Sequence, residues 1–176
     1  MSVPDLISPI VGYRAWKWNT TVLQSLCGER WYPRQPLAAR CRAATIVGRA
    51  DVVHDAHDLP QTNCTCGVYA SKSFEQLRTT GYERFGIHGE VYLWGTVVEH
   101  EVGWRAQFAY PKTLFLSPDL IPSDTKEMEF RLEALAAYGT DIFIGGDREN
   151  IPLFRRGSGF DAAGLNCLTG GWVHAD

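Results

Sequence analysis

Cys41, His57, Cys64 and Cys66 are the residues of this chain whose types and spacing point most directly to chemistry. Three thiolates and one imidazole make a donor set suited to tetrahedral zinc. The segment between Cys41 and Cys64 is polar, carries several His and Asp residues and has no periodicity. A connection of that length inside a compact domain needs something to pin it, and a zinc staple would do so. Gly67 directly follows Cys66, where a ligand knuckle must turn sharply. The C-x-C spacing is tighter than the usual C-x₂₋₄-C, and His54 competes with His57 for the fourth position. Pro60, standing between His57 and the cysteines, stiffens the approach and favours His57. Four protein ligands would make the site closed and structural. Two other readings of the same residues stand beside zinc: reduced cysteines packed in the interior, and a reactive thiol.

A second cluster is Glu99, His100 and Glu101 followed by Gly103, Trp104 and Arg105. It sets carboxylates, an imidazole and a guanidinium around one hairpin tip. Glu99 and Arg105 would pair across the strands, or the group would grip a polar ligand. As a catalytic alternative, Glu99, His100 and Arg105 would form a centre with His100 as general base. A surface ion pair is the commoner use of such residues. Residues 29–49 hold five Arg against one Glu, which makes Arg30, Arg34, Arg40 and Arg42, together with Arg105, the candidate contacts for nucleic-acid phosphates. Tyr92, Trp94, Trp104, Phe108 and Tyr110 could stack on bases, although their alternation also suits a core.

Other motifs carry less. His88-Gly89-Glu90 has the H-x-E form of zinc deaminases but lacks the downstream P-C-x-x-C. His54, Asp55, His57 and Asp58 lack the further ligands of a metal hydrolase. The glycines around Ser158 form neither a G-x-G-x-x-G nor a P-loop, and there is no G-x-S-x-G elbow. Cys27 and Cys167 read as small apolar packing groups.

These residues must be positioned by β-structure. Residues 9–27 read as two strands around the turn Asn19-Thr20-Thr21, with Tyr13, Trp16, Trp18, Val22 and Leu26 supplying much of one layer. A short strand is expected at 37–41. Ser71 is the expected N-cap of a helix that Gly81 ends. In residues 88–98, Tyr92, Trp94, Thr96 and Val98 share one face and Val91, Leu93, Gly95 and Val97 the other, so a central strand is expected. Gly103 closes a tight connection to a hairpin partner, which Pro111 should stop before a further strand at TLFLS. Asp124 and Glu127 form a capping-box-like pair ahead of a helix with Met128, Leu132, Leu135 and Ala136 at helical spacing. Gly139 closes that helix, and residues 140–144 read as a strand. From Gly145 onward the chain holds seven of its 17 glycines and little periodicity.

With 176 residues, 45% of them hydrophobic and 21% charged, the chain fits one globular domain rather than a disordered tail. Residues 1–118 read as a β-rich module with the zinc loop, and 119–176 as a helix, strand and Gly-rich tail packed on the same domain. No apolar stretch reaches the ~18 residues of a membrane helix, so no membrane partner is expected. The net charge of −3 argues against a dedicated duplex-DNA binder. An odd cysteine count with no visible leader points to the cytoplasm. The fold class expected is α+β: a strongly bent antiparallel sheet or small barrel, PUA-like or SH3-like, with one or two helices and a zinc-pinned loop.

Trp31-Tyr32-Pro33, Ala39-Arg40-Cys41, His57, Pro60 and Cys64-Thr65-Cys66-Gly67-Val68-Tyr69-Ala70 form a familiar series. It continues through Gly89-Glu90-Val91, Leu93-Trp94-Gly95, Val97-Val98-Glu99-His100 and Gly103-Trp104-Arg105-Ala106 to Ala109 and Pro111. The series resembles a family of small bacterial proteins, common in actinobacteria and carried as hypothetical proteins, with the motifs CxCG[IV]YA and WGxVVEHxxGWRA. The resemblance spans roughly residues 11–117. It supplies no catalytic residues, but it implies that the zinc ligands and the Glu99–Arg105 hairpin belong to one module. The function expected is a non-enzymatic, zinc-stabilised binding module for single-stranded RNA or DNA. The alternatives are an enzyme built on the Cys/His cluster or on Glu99, His100 and Arg105, and a protein-interaction adaptor using the acidic helix and tail.

Overall fold

The computed structural model describes residues 8–40, 60, 65–144, 151–155 and 159–160. Its strands are β1 (Ile10–Asn19), β2 (Val22–Gln24), β3 (Arg30–Trp31), β4 (Leu37–Ala38), β5 (Val68–Ser71), β6 (Ile87–Glu99), β7 (Gly103–Leu116), β8 (Asp141–Ile144), β9 (Ile151–Arg155) and β10 (Gly159–Phe160). Two helices, α1 (Phe74–Thr79) and α2 (Thr125–Ala136), accompany them. Together the strands form a strongly curved, mostly antiparallel sheet. β1 pairs with β6, β6 with β7, and β7 with β5, and β5 returns to β1 through the single bridge Tyr13↔Ser71. The result is a partial ring. The expected bent sheet is present, but it is mixed, because β8 runs parallel to β7. The parallel pairing follows from the connection: α2 carries the chain back before β8 begins, as a parallel crossover requires.

β7 organises the molecule. One edge takes β6 along nearly its whole length. The other edge takes β5 at 103–106, β4 at 108–109 and β8 at 113–116. Pro111 does not stop β7, contrary to expectation. It sits at a register shift opposite Val91, in the gap between the residues that pair with β4 and those that pair with β8. A proline without an N–H is tolerated at such an irregularity. Lys112, the extra residue there, reaches Glu90 at 2.7 Å, and this hydrogen bond pushes its ammonium pKa above the ordinary value.

A second shift, between Trp94 and Val97, overturns the simple alternation expected of β6. Gly95 has φ +76°, a left-handed conformation that costs glycine little. The bulged Thr96 N–H donates to Gln107 Oε1 at 3.2 Å. Beyond the bulge, Val97 pairs with Ala106 and Val98 with Arg105. Val97 therefore joins the face of Tyr92 and Trp94, and Val98 goes to the other face.

Trp16, Leu23, Trp31, Ile87, Val91, Leu93, Leu114, Leu116, Leu135 and Ile142 fill the core. Trp16 and Trp31 meet edge to face at 5.5 Å. α2 begins at Asp124, which accepts from Glu127 N at 2.9 Å, and it buries Met128, Leu132 and Leu135 as its periodicity requires. α1 is capped by Ser73 rather than Ser71, since Ser71 is still paired in β5. Along one flank Phe74, His88, Phe115 and Phe143 stack in series at 4.7, 5.6 and 5.4 Å. No helix among the described residues is long and apolar enough to cross a membrane.

Candidate functional site

Two roomy clefts stand out on the described surface. The larger, of about 750 Å³, lies where β1, β5, α1 and the β6–β7 turn converge. Arg14, in the middle of β1, sends Nη1 to the Tyr69 carbonyl and Nη2 to Ser25 Oγ at 2.9 Å, and stands 5.3 Å over the Trp31 ring. Ser25 Oγ also accepts from Trp31 Nε1 at 2.8 Å, so one hydroxyl fixes both side chains. Burial pushes the Arg14 pKa below its ordinary value, against the opposing pull of Cys27, Glu29 and Tyr82.

His100 and Arg105 meet in the same cleft, with Arg105 Nε donating to His100 Nε2 at 2.7 Å and Nη1 to the Cys66 carbonyl at 3.1 Å. The acceptor role leaves that imidazole nitrogen without a proton. Arg105 is only 3% exposed, unlike the surface Arg30, Arg34 and Arg40. Glu99 does not pair with Arg105. Glu99 lies opposite Trp104 and Arg105 opposite Val98, so the two side chains leave the hairpin on opposite faces. Glu99 instead binds Lys72 at 2.7 Å, and Lys72 covers the Trp104 ring at 4.9 Å. His100 and Arg105 are thus brought together, and Glu99 is held apart from them.

The second cleft, of about 660 Å³, runs over the outer face of β6 and β7 and is lined by Pro9, Arg34, Pro36, Tyr92, Trp94 and Tyr110, with Tyr138 and Gly139 at one end. Two cross-strand pairs, Tyr92↔Tyr110 and Trp94↔Phe108, make an aromatic lane. All four rings are half-buried, and Trp94 stacks on Phe108 at 6.0 Å. Tyr110 Oη accepts from Arg34 N at 2.7 Å and donates to the Tyr138 carbonyl at 2.8 Å. This locks one ring of the lane and fixes the loop that carries the exposed Arg34. The lane exists because the β6 faces alternate cleanly up to Trp94: Val91 and Leu93 go to the core, Tyr92 and Trp94 outward.

Of the proposed zinc ligands, Cys41, His57 and Cys64 lie outside the described residues, as do the competing His54 and Arg42. Cys66 is half-buried beside the cleft of Arg14. Among the described residues no three His, Cys, Asp or Glu side chains group as a metal site. Cys167 is also undescribed. Cys27, expected to be buried, is exposed in the tight turn of Gly28 (φ +97°) with its thiol 3.7 Å from Glu29 Oε2.

Arg14 is the site residue that sequence reading missed. Its signal is an arginine inside an otherwise aromatic and aliphatic strand, Ile10-Val11-Gly12-Tyr13-Arg14-Ala15-Trp16. No protein-family model matches the chain, and neither does any curated protein or solved structure.

Proposed function

We propose that the protein is a binding module for single-stranded nucleic acid and that bases stack along Tyr92 and Trp94. The supporting observation is the aromatic lane with Arg34 anchored at its side through the Tyr110 hydroxyl. Half-buried rings offer a π-face to any base, and an exposed guanidinium beside them offers a phosphate contact. Arg30 and Arg40, both exposed, flank Arg34 in the chain, but only Arg34 borders the lane. Arg105 takes no part in this reading, since it is buried against His100.

The zinc staple of Cys41, His57, Cys64 and Cys66 remains part of the proposal. Its support within the described chain is the turn at Gly67, whose φ of +138° lets the backbone reverse just after Cys66. A zinc there would hold the residues before β5 in register with the ring.

Fluorescence titration of the protein with a random-sequence single strand of about 12 nucleotides, at low salt, tests the reading. Stacking on Trp94 should quench the emission, and the affinity should fall as salt rises. Absence of binding even at low ionic strength, where phosphate attraction is largest, overturns it.

A further inference from the structure

We infer that the cleft around Arg14 is a binding site for a small organic carboxylate with a flat apolar body. The inference stands apart from the oligonucleotide reading, because neither Trp94 nor Arg34 borders this cleft.

The argument starts from charge. Arg14 carries five N–H donors, and its acceptors in the structure are both neutral: the Tyr69 carbonyl and the Ser25 hydroxyl. Its Nε is buried and has no acceptor. Among the described residues no carboxylate lies within ion-pair distance of it, and Glu29 acts on it only from farther away. Arg14 is half-buried in the cleft wall, and its Nε–H, shut off from water with no acceptor, carries a cost that an anion drawn to the guanidinium would relieve. The residue is also held ready. Tyr69, Ser25 and the Trp31 face fix the fork before any ligand arrives, so little side-chain freedom is lost on binding.

The walls define the rest of the ligand. Tyr13, Leu26, Leu77, Tyr82, Val102 and Trp104 present rings and aliphatic groups, and the volume of about 750 Å³ suits a small organic molecule. The chemistry favours a monoanion. Of the two guanidiniums lining the cleft, Arg105 is already engaged by His100 and the Cys66 carbonyl, which leaves Arg14 to receive the anion. Glu29 already contributes negative charge near Arg14, so a phosphate dianion would meet repulsion and too few donors.

The test uses the full chain and matched probes: benzoate, phenylacetate, indole-3-acetate and 2-naphthoate, each beside its neutral primary amide, with phenyl phosphate as the dianion. Binding is read by calorimetry and by the Arg14 Nε–H resonance in ¹⁵N spectra of the wild-type protein. At least one carboxylate should bind with Kd below about 1 mM. It should shift the Arg14 Nε–H resonance, and its amide should bind about tenfold more weakly. Arg14→Lys keeps the charge but not the fork and should lose about as much. Equal binding of acid and amide, no binding by any carboxylate at that level, or tighter binding of phenyl phosphate than of phenylacetate would each overturn the assignment. Should Arg14→Lys fail to fold, the resonance shift and the acid–amide comparison in wild type still decide it.

Discussion

The hydroxyl of Tyr138, just after α2, donates to the carbonyl of Trp31 at the end of β3 and accepts from the Leu23 N–H at 2.9 Å. One side chain thus bridges β2 and β3, strands of the first third of the chain, from a position more than a hundred residues later. Its own carbonyl holds Tyr110 of the aromatic lane. The segment after β7 is therefore bound to the edge of the sheet where the chain starts and to the outer face of β7 at once.

Tyr138→Phe should cost about 1–3 kcal/mol in urea unfolding, because it strips partners from the buried Leu23 N–H and Trp31 carbonyl. The same burial raises the Tyr138 hydroxyl from 10.0 to about 12. Above pH 10 an unfolded chain gives up this proton while the folded chain keeps it. The contribution is complete below pH 10 and is lost as pH rises through about 12. Wild type should therefore lose up to roughly 2–3 kcal/mol more stability than Tyr138→Phe across that window. Parallel stability curves for the two proteins between pH 9 and pH 12 would contradict the assignment.

Gly89 lies where β6 crosses β7 so closely that a Cβ would stand 1.9 Å from the Thr113 carbonyl oxygen. Gly89→Ala must push the two long strands apart and should cost at least about 3 kcal/mol or prevent folding. Gly81→Ala is the contrast. Nothing lies within 4 Å of its would-be Cβ, and only the φ of +71° is strained, so about 1–2 kcal/mol is expected. Thermal melts that rank the two variants the other way would refute this account of the ring.

Much of this architecture was legible in the sequence, and each failure has an identifiable physical cause. The turn at Asn19–Thr21, the long β6–β7 hairpin and the Asp124 cap all follow from residue chemistry at short range. The bulge at Gly95 was not legible, because glycine in an alternating run does not reveal its φ, and its effect is to move Val97 and Val98 to the opposite faces. Pro111 misled because its harmless place depends on where β4 and β8 end, which is long-range information. The Glu99–Arg105 pairing failed on parity alone: a cross-strand pair must lie in register, and these two are one residue out. The aromatic residues of the lane were named from sequence, but which of their faces meets solvent was decided only by packing. Arg14 escaped notice because its role comes from Ser25 and Tyr69, which local sequence does not bring to it.

The zinc proposal makes a stoichiometric prediction. Protein purified without added metal should carry about one zinc per chain by elemental analysis, and a strong chelator should lower its melting temperature. Cys64→Ala should destabilise the fold severely, through loss of a ligand rather than loss of packing. Metal-free protein that melts unchanged in the presence of chelator would remove zinc from the account.

The aromatic lane predicts two variants with different signatures. Trp94→Ala removes a stacking surface and should weaken oligonucleotide binding by about 1–3 kcal/mol, with the salt dependence nearly unchanged. Arg34→Gln removes one phosphate contact and leaves every ring in place, since Arg34 holds Tyr110 through its backbone N–H. It should reduce the slope of log K against log salt by about 0.7 and have a smaller effect at high salt. Stacking and charge are separable here because the ring is anchored by main chain and the cation extends from the side chain of the same residue. Equal loss of slope in both variants, or no loss of affinity in Trp94→Ala, would move the binding site off this face.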